Sequence, residues 1–185
     1  MLFDQQSKSL WRLDRLYLLI LMVLSGCSAL QQPTQEGGQM IPRLQTFDGV
    51  YRNTPVNNPD MELLSLWNQL SLNDKIDTLD FKNAEIVLET KGDRQIKAIW
   101  LQGGVEKKSI LVHGKLKDNY FVSRHSRTII PIPLVYGHIA NNQFQLWLDN
   151  DGQLHVDRLQ NRWGWVFVFL AGVDNTSSYV YPKSR

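Results

Sequence analysis

The chain has 185 residues, of which 43% are hydrophobic and 21% are charged. These proportions are those of a folded domain and exclude a wholly disordered or collagen-like chain. With 20 basic and 18 acidic residues the formal net charge is +2, and the two signs alternate along the chain. A nucleic-acid-binding protein carries a concentrated basic face, so we expect no nucleic-acid partner. The single cysteine excludes an intrachain disulfide and a cysteine-based zinc site.

The amino-terminal segment has the layout of a secretory signal peptide. Lys8, Arg12 and Arg15 precede an apolar run at residues 16–24, and small residues follow it. This run is well short of the roughly 20 residues that a membrane-spanning helix needs, whereas signal peptides have apolar regions of this length. We therefore predict a signal peptide at residues 1–26.

Leu24-Ser25-Gly26-Cys27 resembles the lipobox of bacterial lipoproteins, in which an aliphatic residue and two small residues precede the cysteine. The resemblance implies that diacylglycerol is attached to the Cys27 sulfur, that the chain is cleaved before Cys27, and that a fatty acid such as palmitate acylates the new amino terminus. Two or more acyl chains hold a protein stably on a membrane. In Gram-negative lipoproteins an Asp after the cysteine marks the inner membrane, so Ser28 implies the outer membrane.

Two other interpretations of Cys27 remain: a buried structural thiol, and, because Asp4 and Asp14 dilute the basic lead, an uncleaved anchor. Residues 28–42 are rich in Gln, Gly and Pro and have no apolar period, which predicts a flexible tether. We therefore expect the lipidated Cys27 and its tether at residues 27–42 and a single domain at residues 43–185.

One helix is predicted at about residues 59–70. Asn58 is suited to cap it, Pro59 suits the first helical position, and Asp60 and Glu62 complement the positive end of the helix dipole. Apolar side chains recur at helical spacing, namely Met61, Leu63, Leu64, Leu66, Trp67 and Leu70. We expect this stripe to pack on the domain core.

The rest of the domain alternates apolar and polar residues in short runs, which is typical of β-strands. The candidate strands are 47–52, 84–89, 96–100, 110–116, 120–125, 134–139, 144–149, 154–159 and 165–170. Turn-forming residues separate them at 91–93, 103–104, 118–119, 141–142 and 150–152. Pro131 and Pro133 predict a loop, a bulge or an exposed edge between two of the runs. The predicted fold is mostly β, an antiparallel meander that forms a barrel or a strongly bent sheet with the helix packed on it.

Gly49-Val50-Tyr51, at the start of the first strand, resembles the Gly-x-Trp of lipocalins, with Tyr in place of Trp. The resemblance covers a tripeptide and an architecture, so it implies no particular ligand. It leaves open a lipocalin-like barrel that binds an apolar small molecule or a lipid.

No common catalytic or nucleotide-binding motif occurs: the sequence lacks G-x-S-x-G, H-E-x-x-H, G-x-G-x-x-G and a Walker loop. We therefore predict a protein that is not an enzyme and binds neither a metal nor a cofactor. Four histidines are present, His113, His125, His138 and His155. Histidines of the polar faces of the strands are the simpler interpretation, and a histidine-based site built across neighbouring strands is the alternative.

Two stretches are candidate binding surfaces. Arg124, His125 and Arg127 form a basic cluster that suits a phosphate, a lipid headgroup or acidic groups of the cell wall, or that is a solvated turn. The run 163–170, with Trp163 and Trp165, is apolar at every position except Gly164. Such a run predicts a central strand or one covered by the helix, and a docking surface if the helix lies elsewhere.

These features favour a membrane-anchored envelope lipoprotein that acts as a non-enzymatic interaction or scaffold module. Its expected partners are the membrane, through Cys27, and an envelope protein or lipid. A lipocalin-like carrier is the first alternative and a histidine-based enzyme is the second.

Overall fold

The computed structural model describes residues 38–72, 79–132, 136–167 and 169–184. The signal peptide, the lipobox with Cys27, Ser28 and most of the tether lie outside the described residues. Within them, Gly38 pairs with Asp149 and Ile41 is buried, so the chain already contacts the domain before Arg43.

The described residues form one antiparallel sheet of nine strands in a meander, which confirms the mostly β prediction. The strands are β1 (Gly49–Arg52), β2 (Ala84–Thr90), β3 (Gln95–Gln102), β4 (Val105–Lys117), β5 (Tyr120–Ser123), β6 (Ser126–Ile132), β7 (Tyr136–Leu148), β8 (Leu154–Val166) and β9 (Phe169–Tyr181). Neighbours follow the order β1-β2-β3-β4-β5-β7-β8-β9, and β6 pairs with β7. Thus β5 and β6 adjoin different stretches of the long strand β7.

Of the two predicted forms, the strongly bent sheet is correct and the closed barrel is not. Among the described residues, the margins of the sheet meet where the segment after β9 reaches β1. There the Arg52 N–H donates to the Pro182 carbonyl at 3.0 Å and the Ser184 N–H donates to the Val50 carbonyl at 2.7 Å. Among the described strands, β9 itself pairs with β8 alone. Its first residues extend beyond the core, where no other described strand lies beside them.

The concave side of the bent sheet holds the core. Alternate residues of β2 are buried, as the period of a half-buried strand requires. Large aromatic side chains fill the centre almost without exposure, namely Phe47, Tyr51, Trp100, Phe121, Phe144 and Tyr181. A core of this kind is stabilised by removing apolar surface from water, at about 25 cal/mol per Å².

The prediction of one helix over residues 59–70 was wrong in its extent. A 3₁₀ turn at Glu62–Leu64 comes first, and the one α-helix of the described residues, α1, spans Leu66–Ser71. Helical geometry cannot begin at Asn58, because that residue has a positive φ of 63°, and Ser65 is extended. Buried apolar residues of α1 join the core, as expected, but the helix leaves most of residues 163–170 exposed.

Asn53 determines where α1 begins. Its carbonyl accepts the N–H of Leu66 at 2.8 Å, and its Oδ1 accepts the N–H of Trp67 at 3.0 Å. The Oγ of Ser65 accepts the next N–H, that of Asn68. The first N–H groups of a helix have no partner within it, so these acceptors satisfy them inside the protein.

Beyond the core, four paired strand segments form what we call the arm: residues 126–132 of β6, 136–142 of β7, 160–166 of β8 with the turn residue Phe167, and 169–176 of β9. The core residues on these strands stop at Phe144, Val156 and Tyr179–Tyr181. Most side chains of the arm are half-buried or exposed. The arm is therefore an extension of the sheet that nothing in the described chain covers.

Two predictions about the arm were wrong. Asn141-Asn142 is not a turn but lies inside β7, because β8 continues beside it and pairs Asn161 and Gln160 with these residues. Residues 165–170 are not one strand, because Phe167, with a φ of 54°, turns the chain between β8 and β9. The segment that contains Pro131 forms β6, an exposed edge strand. Of the three predicted alternatives, a loop, a bulge and an exposed edge, the exposed edge is therefore correct.

Candidate functional site

The two hairpins of the arm, β6–β7 and β8–β9, end side by side. Ile132 pairs with Tyr136, Tyr136 with Val166, and Val166 with Phe169, so the tips share one level. Phe169 is 78% exposed and Leu170 is 68% exposed. We call the exposed hydrophobic residues here the apolar end of the arm; they are Ile129, Ile130, Tyr136, Trp163, Val166, Phe167, Phe169, Leu170 and Val173.

The apolar end presents hydrophobic side chains on both faces of the sheet. Directly paired residues of neighbouring strands share a face, and successive residues alternate between faces. The face continuous with the core carries Ile130, Tyr136, Val166, Phe169 and Val173, and the opposite face carries Ile129, Ile139, Trp163, Trp165 and Leu170. A hydrophobic strand inside a domain has its faces covered, whereas these faces are open to solvent.

Two tryptophans of β8 cover glycines on the neighbouring strands. A Cβ atom added to Gly137 would lie 1.8 Å from the ring of Trp165, and one added to Gly172 would lie 2.6 Å from the ring of Trp163. The two rings therefore lie over backbone that only glycine leaves accessible, one over β7 and the other over β9. This cross-strand packing holds both indoles against the sheet.

A polar level separates the apolar end from the core. Arg127, Asn141, Asn161 and Asp174 are register partners across the four strands. The side chain of Asn161 donates a hydrogen bond to Asp174. The polar level lies two residues along each strand from the Ile129–Ile139–Trp163 level, and the exposed Arg162 lies between the two levels on β8.

The structure brings the two predicted binding surfaces onto one arm. Arg127 lies on β6, and the exposed Arg124 and His125 lie in the connection just before it. Trp163 and Trp165 lie on β8 in the same four-stranded segment. Arg127 is at the polar level, Arg124 and His125 precede it in the connection before β6, and the two tryptophans lie on the side of that level nearer the tip.

Sequence reasoning found the part of the apolar end that lies in the run 163–170. It missed Ile129, Ile130, Tyr136 and Val173 as surface residues. A signal was present: residues 163–173 contain no Asp, Glu, Lys, Arg or His, and neither do residues 128–137. Each run is about twice the usual strand length of five to six residues, which indicates a hairpin with an apolar tip rather than one buried strand.

The four histidines are not brought together. His113 contacts Gln95, with 3.3 Å between Nδ1 and the amide nitrogen, and His125 is exposed. His138 and His155 lie on opposite faces of the sheet. His138 of β7 pairs with Gly164 of β8, an odd number of residues from His155 along the same strand, and side chains alternate between faces. Among the described residues no group of three or more histidine, cysteine or acidic side chains is placed to hold a metal ion.

His155 instead belongs to a polar network at the β7–β8 turn. Its Nε2 is 2.9 Å from Oδ2 of Asp149, and its ring stacks on Trp147 with centroids 3.7 Å apart. Oδ1 of Asp149 accepts the N–H groups of Asp151 and Gln153. Burial raises the pKa of Asp149, but the hydrogen bonds from His155 and the turn outweigh it and lower the pKa below its usual value. This network stabilises the turn.

We expect Asp149→Asn to lower the free energy of unfolding by about 1 kcal/mol at pH 7, because the charge-assisted bond to His155 is lost. Since folding lowers the pKa of Asp149, its ionised form stabilises the folded state above the unfolded-chain pKa of about 3.9. That contribution is lost as the pH falls through the lower folded-state pKa. Urea titrations from pH 7 to pH 3 should therefore show the difference between variant and parent shrinking below about pH 4.

The matched control for this prediction is Asp151→Asn, an exposed carboxylate of the same turn. It should change the free energy of unfolding by less than about 0.5 kcal/mol at every pH. A difference between Asp149→Asn and the parent that stays constant down to pH 3 would contradict the role of the charge.

Within the described residues, no helix has the length and apolar character needed to cross a membrane. Comparisons of the chain with protein-family models, with curated proteins and with solved structures found no match. The fold and the surface therefore define the class directly: a mostly β domain whose bent sheet extends into an arm with an exposed apolar end.

Proposed function

We propose that the chain is a non-enzymatic interaction module of the bacterial cell envelope and that it docks through the apolar end of the arm. The observation that supports this proposal is the exposure of Phe169, Leu170 and their neighbours on both faces of paired strands. Soluble monomers rarely expose a contiguous apolar patch of more than a few hundred Å², and larger patches mark sites of protein or membrane contact. The aromatic residues of the arm belong to the types enriched at such sites.

Docking is better supported than the two alternatives. A lipocalin-like carrier needs an interior cavity, whereas the centre of this sheet holds closely buried aromatic side chains such as Trp100 and Phe144. A histidine-based enzyme needs convergent groups, whereas His138 and His155 lie on opposite faces and His155 is engaged in the turn network.

The proposal includes a lipid anchor at Cys27 that places the module in the envelope, with Ser28 directing it to the outer membrane. Its support is the lipobox sequence Leu24-Ser25-Gly26-Cys27. We expect cells grown with radiolabelled palmitate to label the parent protein and not Cys27→Ser. Ser28→Ala, a change at the adjacent residue that keeps the thiol, should remain labelled. Equal labelling of Cys27→Ser and the parent would contradict the anchor.

A photo-crosslinking amino acid at position 170 tests the docking surface in intact cells. We expect irradiation to give discrete adducts with an envelope component, because the side chain at this position projects from the apolar end. The control is the same amino acid at position 105, where Val105 is also an exposed hydrophobic residue but lies on β4. Adducts that are equally abundant at both positions, or absent from both, would overturn the proposal.

A further inference from the structure

Resting on the proposed docking function, we propose that the partner of the apolar end is a lipid bilayer. Phe167, Phe169 and Leu170 enter the outer hydrocarbon of one leaflet, while Arg124 and Arg127 remain at the level of the phosphate headgroups. Shape, the order of residue types along the arm, and charge each support this inference.

The shape of the apolar end suits a fluid partner. Its hydrophobic residues lie on both faces and at the turn, so the surface is a protrusion rather than a patch or a groove. A protein partner would have to provide a cleft that encloses the ends of two adjacent hairpins. Hydrocarbon surrounds such a protrusion on every side without any complementary shape, and transfer of each apolar group from water into hydrocarbon is favourable.

The order of residue types along the arm follows the depth profile of a bilayer. Phe167, Phe169 and Leu170 are outermost, and Trp163 lies three residues from the end of β8. Arg162 comes next, and Asn161 and Arg127 follow at the polar level. Membrane proteins place aliphatic residues and Phe in hydrocarbon, tryptophan at the interface, and polar or basic residues among the headgroups.

The dimensions agree with insertion into one leaflet. With a rise of about 3.3 Å per residue, the tip of β8 at Val166 lies about 10 Å beyond Trp163 and about 17 Å beyond Asn161. Interfacial protein segments bury their apolar parts by about 5–10 Å, and one leaflet contains about 15 Å of hydrocarbon. The outer edges of β6 and β9 keep backbone groups that no described strand pairs, which limits insertion to the depth that water and headgroups still reach.

The charge of the arm favours an anionic surface. Its described residues include two arginines, Arg127 and Arg162, and one acidic residue, Asp174. Arg124 adds a further exposed basic group beside β6. Basic residues near an anionic membrane are attracted to its negative surface potential, so the basic cluster would draw the apolar end toward the surface.

The experiment uses the full-length protein reconstituted in phosphatidylethanolamine–phosphatidylglycerol vesicles that contain acyl-brominated lipid, which quenches tryptophans near hydrocarbon. We expect Trp163→Phe/Trp165→Phe and, independently, Phe169→Ser/Leu170→Ser to reduce the quenched fraction about twofold. Trp147→Phe, which alters the opposite end of β7, should leave the quenched fraction close to that of the parent. Every variant keeps the same amino-terminal segment, so these differences report on the arm.

Quenching that is unchanged in both double variants would overturn the bilayer as partner. If the position-170 crosslinker then captures a protein, the docking function stands and only the lipid assignment fails. If it captures nothing beyond the position-105 control, the docking function fails as well. Phospholipid adducts at position 170 together with reduced quenching would support both. Since Phe169→Ser/Leu170→Ser leaves the glycine-covering tryptophans in place, this variant tests insertion even if the tryptophan variant disturbs the arm.

Discussion

Replacing Asn53 by alanine is expected to lower the free energy of unfolding by about 3 kcal/mol. The side chain is fully buried, and its Nδ2 donates to the Phe81 carbonyl at 3.1 Å while its Oδ1 accepts the Trp67 N–H. Alanine removes both bonds and leaves a donor and an acceptor without partners in the protein interior. Each such group costs about 1–3 kcal/mol, and the loss falls at the start of α1. Urea denaturation followed by circular dichroism measures the change.

The control is Asn150→Ala, a change of the same residue type at an exposed position of the β7–β8 turn. We expect it to change stability by less than about 0.5 kcal/mol. Asn53→Asp, which keeps an acceptor for Trp67 and loses the amide donor, should also destabilise the fold because it buries a charge. A loss below about 1 kcal/mol for Asn53→Ala would show that the two hydrogen bonds do not position the helix.

Gly137→Ala is expected to destabilise the arm by about 2 kcal/mol, because the new methyl group occupies the position of the Trp165 ring. The indole must leave its place over β7 and expose more apolar surface. We expect a red shift of tryptophan emission and faster amide hydrogen exchange in residues 136–142 and 160–167, whereas the amides of the core should exchange at the rate of the parent.

Gly164→Ala provides the matched control, since Gly164 lies between the two tryptophans on the same strand and an added Cβ would meet nothing closer than 3.4 Å. It should leave emission and exchange close to those of the parent. A double-mutant cycle with Trp165→Ala completes the test. Because the clash needs both groups, Gly137→Ala should cost much less in the Trp165→Ala background. Additive effects of the two changes would contradict the packing described here.

The strand pattern could be predicted from the sequence because its causes are local. Alternation in β2 and glycines suited to positive φ at residues 92, 103 and 152 are properties of short segments. Each turn needs a residue that tolerates the left-handed region, and the sequence shows where such residues occur. The mostly β meander follows from this repetition.

The helix illustrates where local signals fail. Asn58 and Pro59 have the residue types of a helix start, yet α1 begins at Leu66. The deciding interactions come from Asn53, which satisfies two N–H groups of the helix from outside it. The hydrogen-bond acceptors come from a separate segment of the chain. The spacing of apolar residues within the helix therefore could not predict where the helix begins.

The candidate site was predicted in part for a similar reason. Trp163 and Trp165 were found because they belong to a conspicuous apolar run, and Arg124, His125 and Arg127 because three basic residues fall within four positions. Ile129, Ile130 and Tyr136 join the same surface only because β7 lies between β6 and β8. Pairing of strands distant in sequence is a tertiary property, so the composition of either run alone did not reveal it.

The amino-acid sequence by itself determined the β-rich class, most of the turns and the absence of common catalytic motifs, because each depends on residues that are neighbours in the chain. Only the tertiary structure decided that the sheet is bent rather than closed and that run 163–170 is a hairpin tip rather than a covered strand. It also decided that two distant hairpins form one apolar end. The physical reason is that the burial of a residue depends on which other elements pack against it. The same hydrophobic residue is part of the core when another element covers it and part of a contact surface when none does.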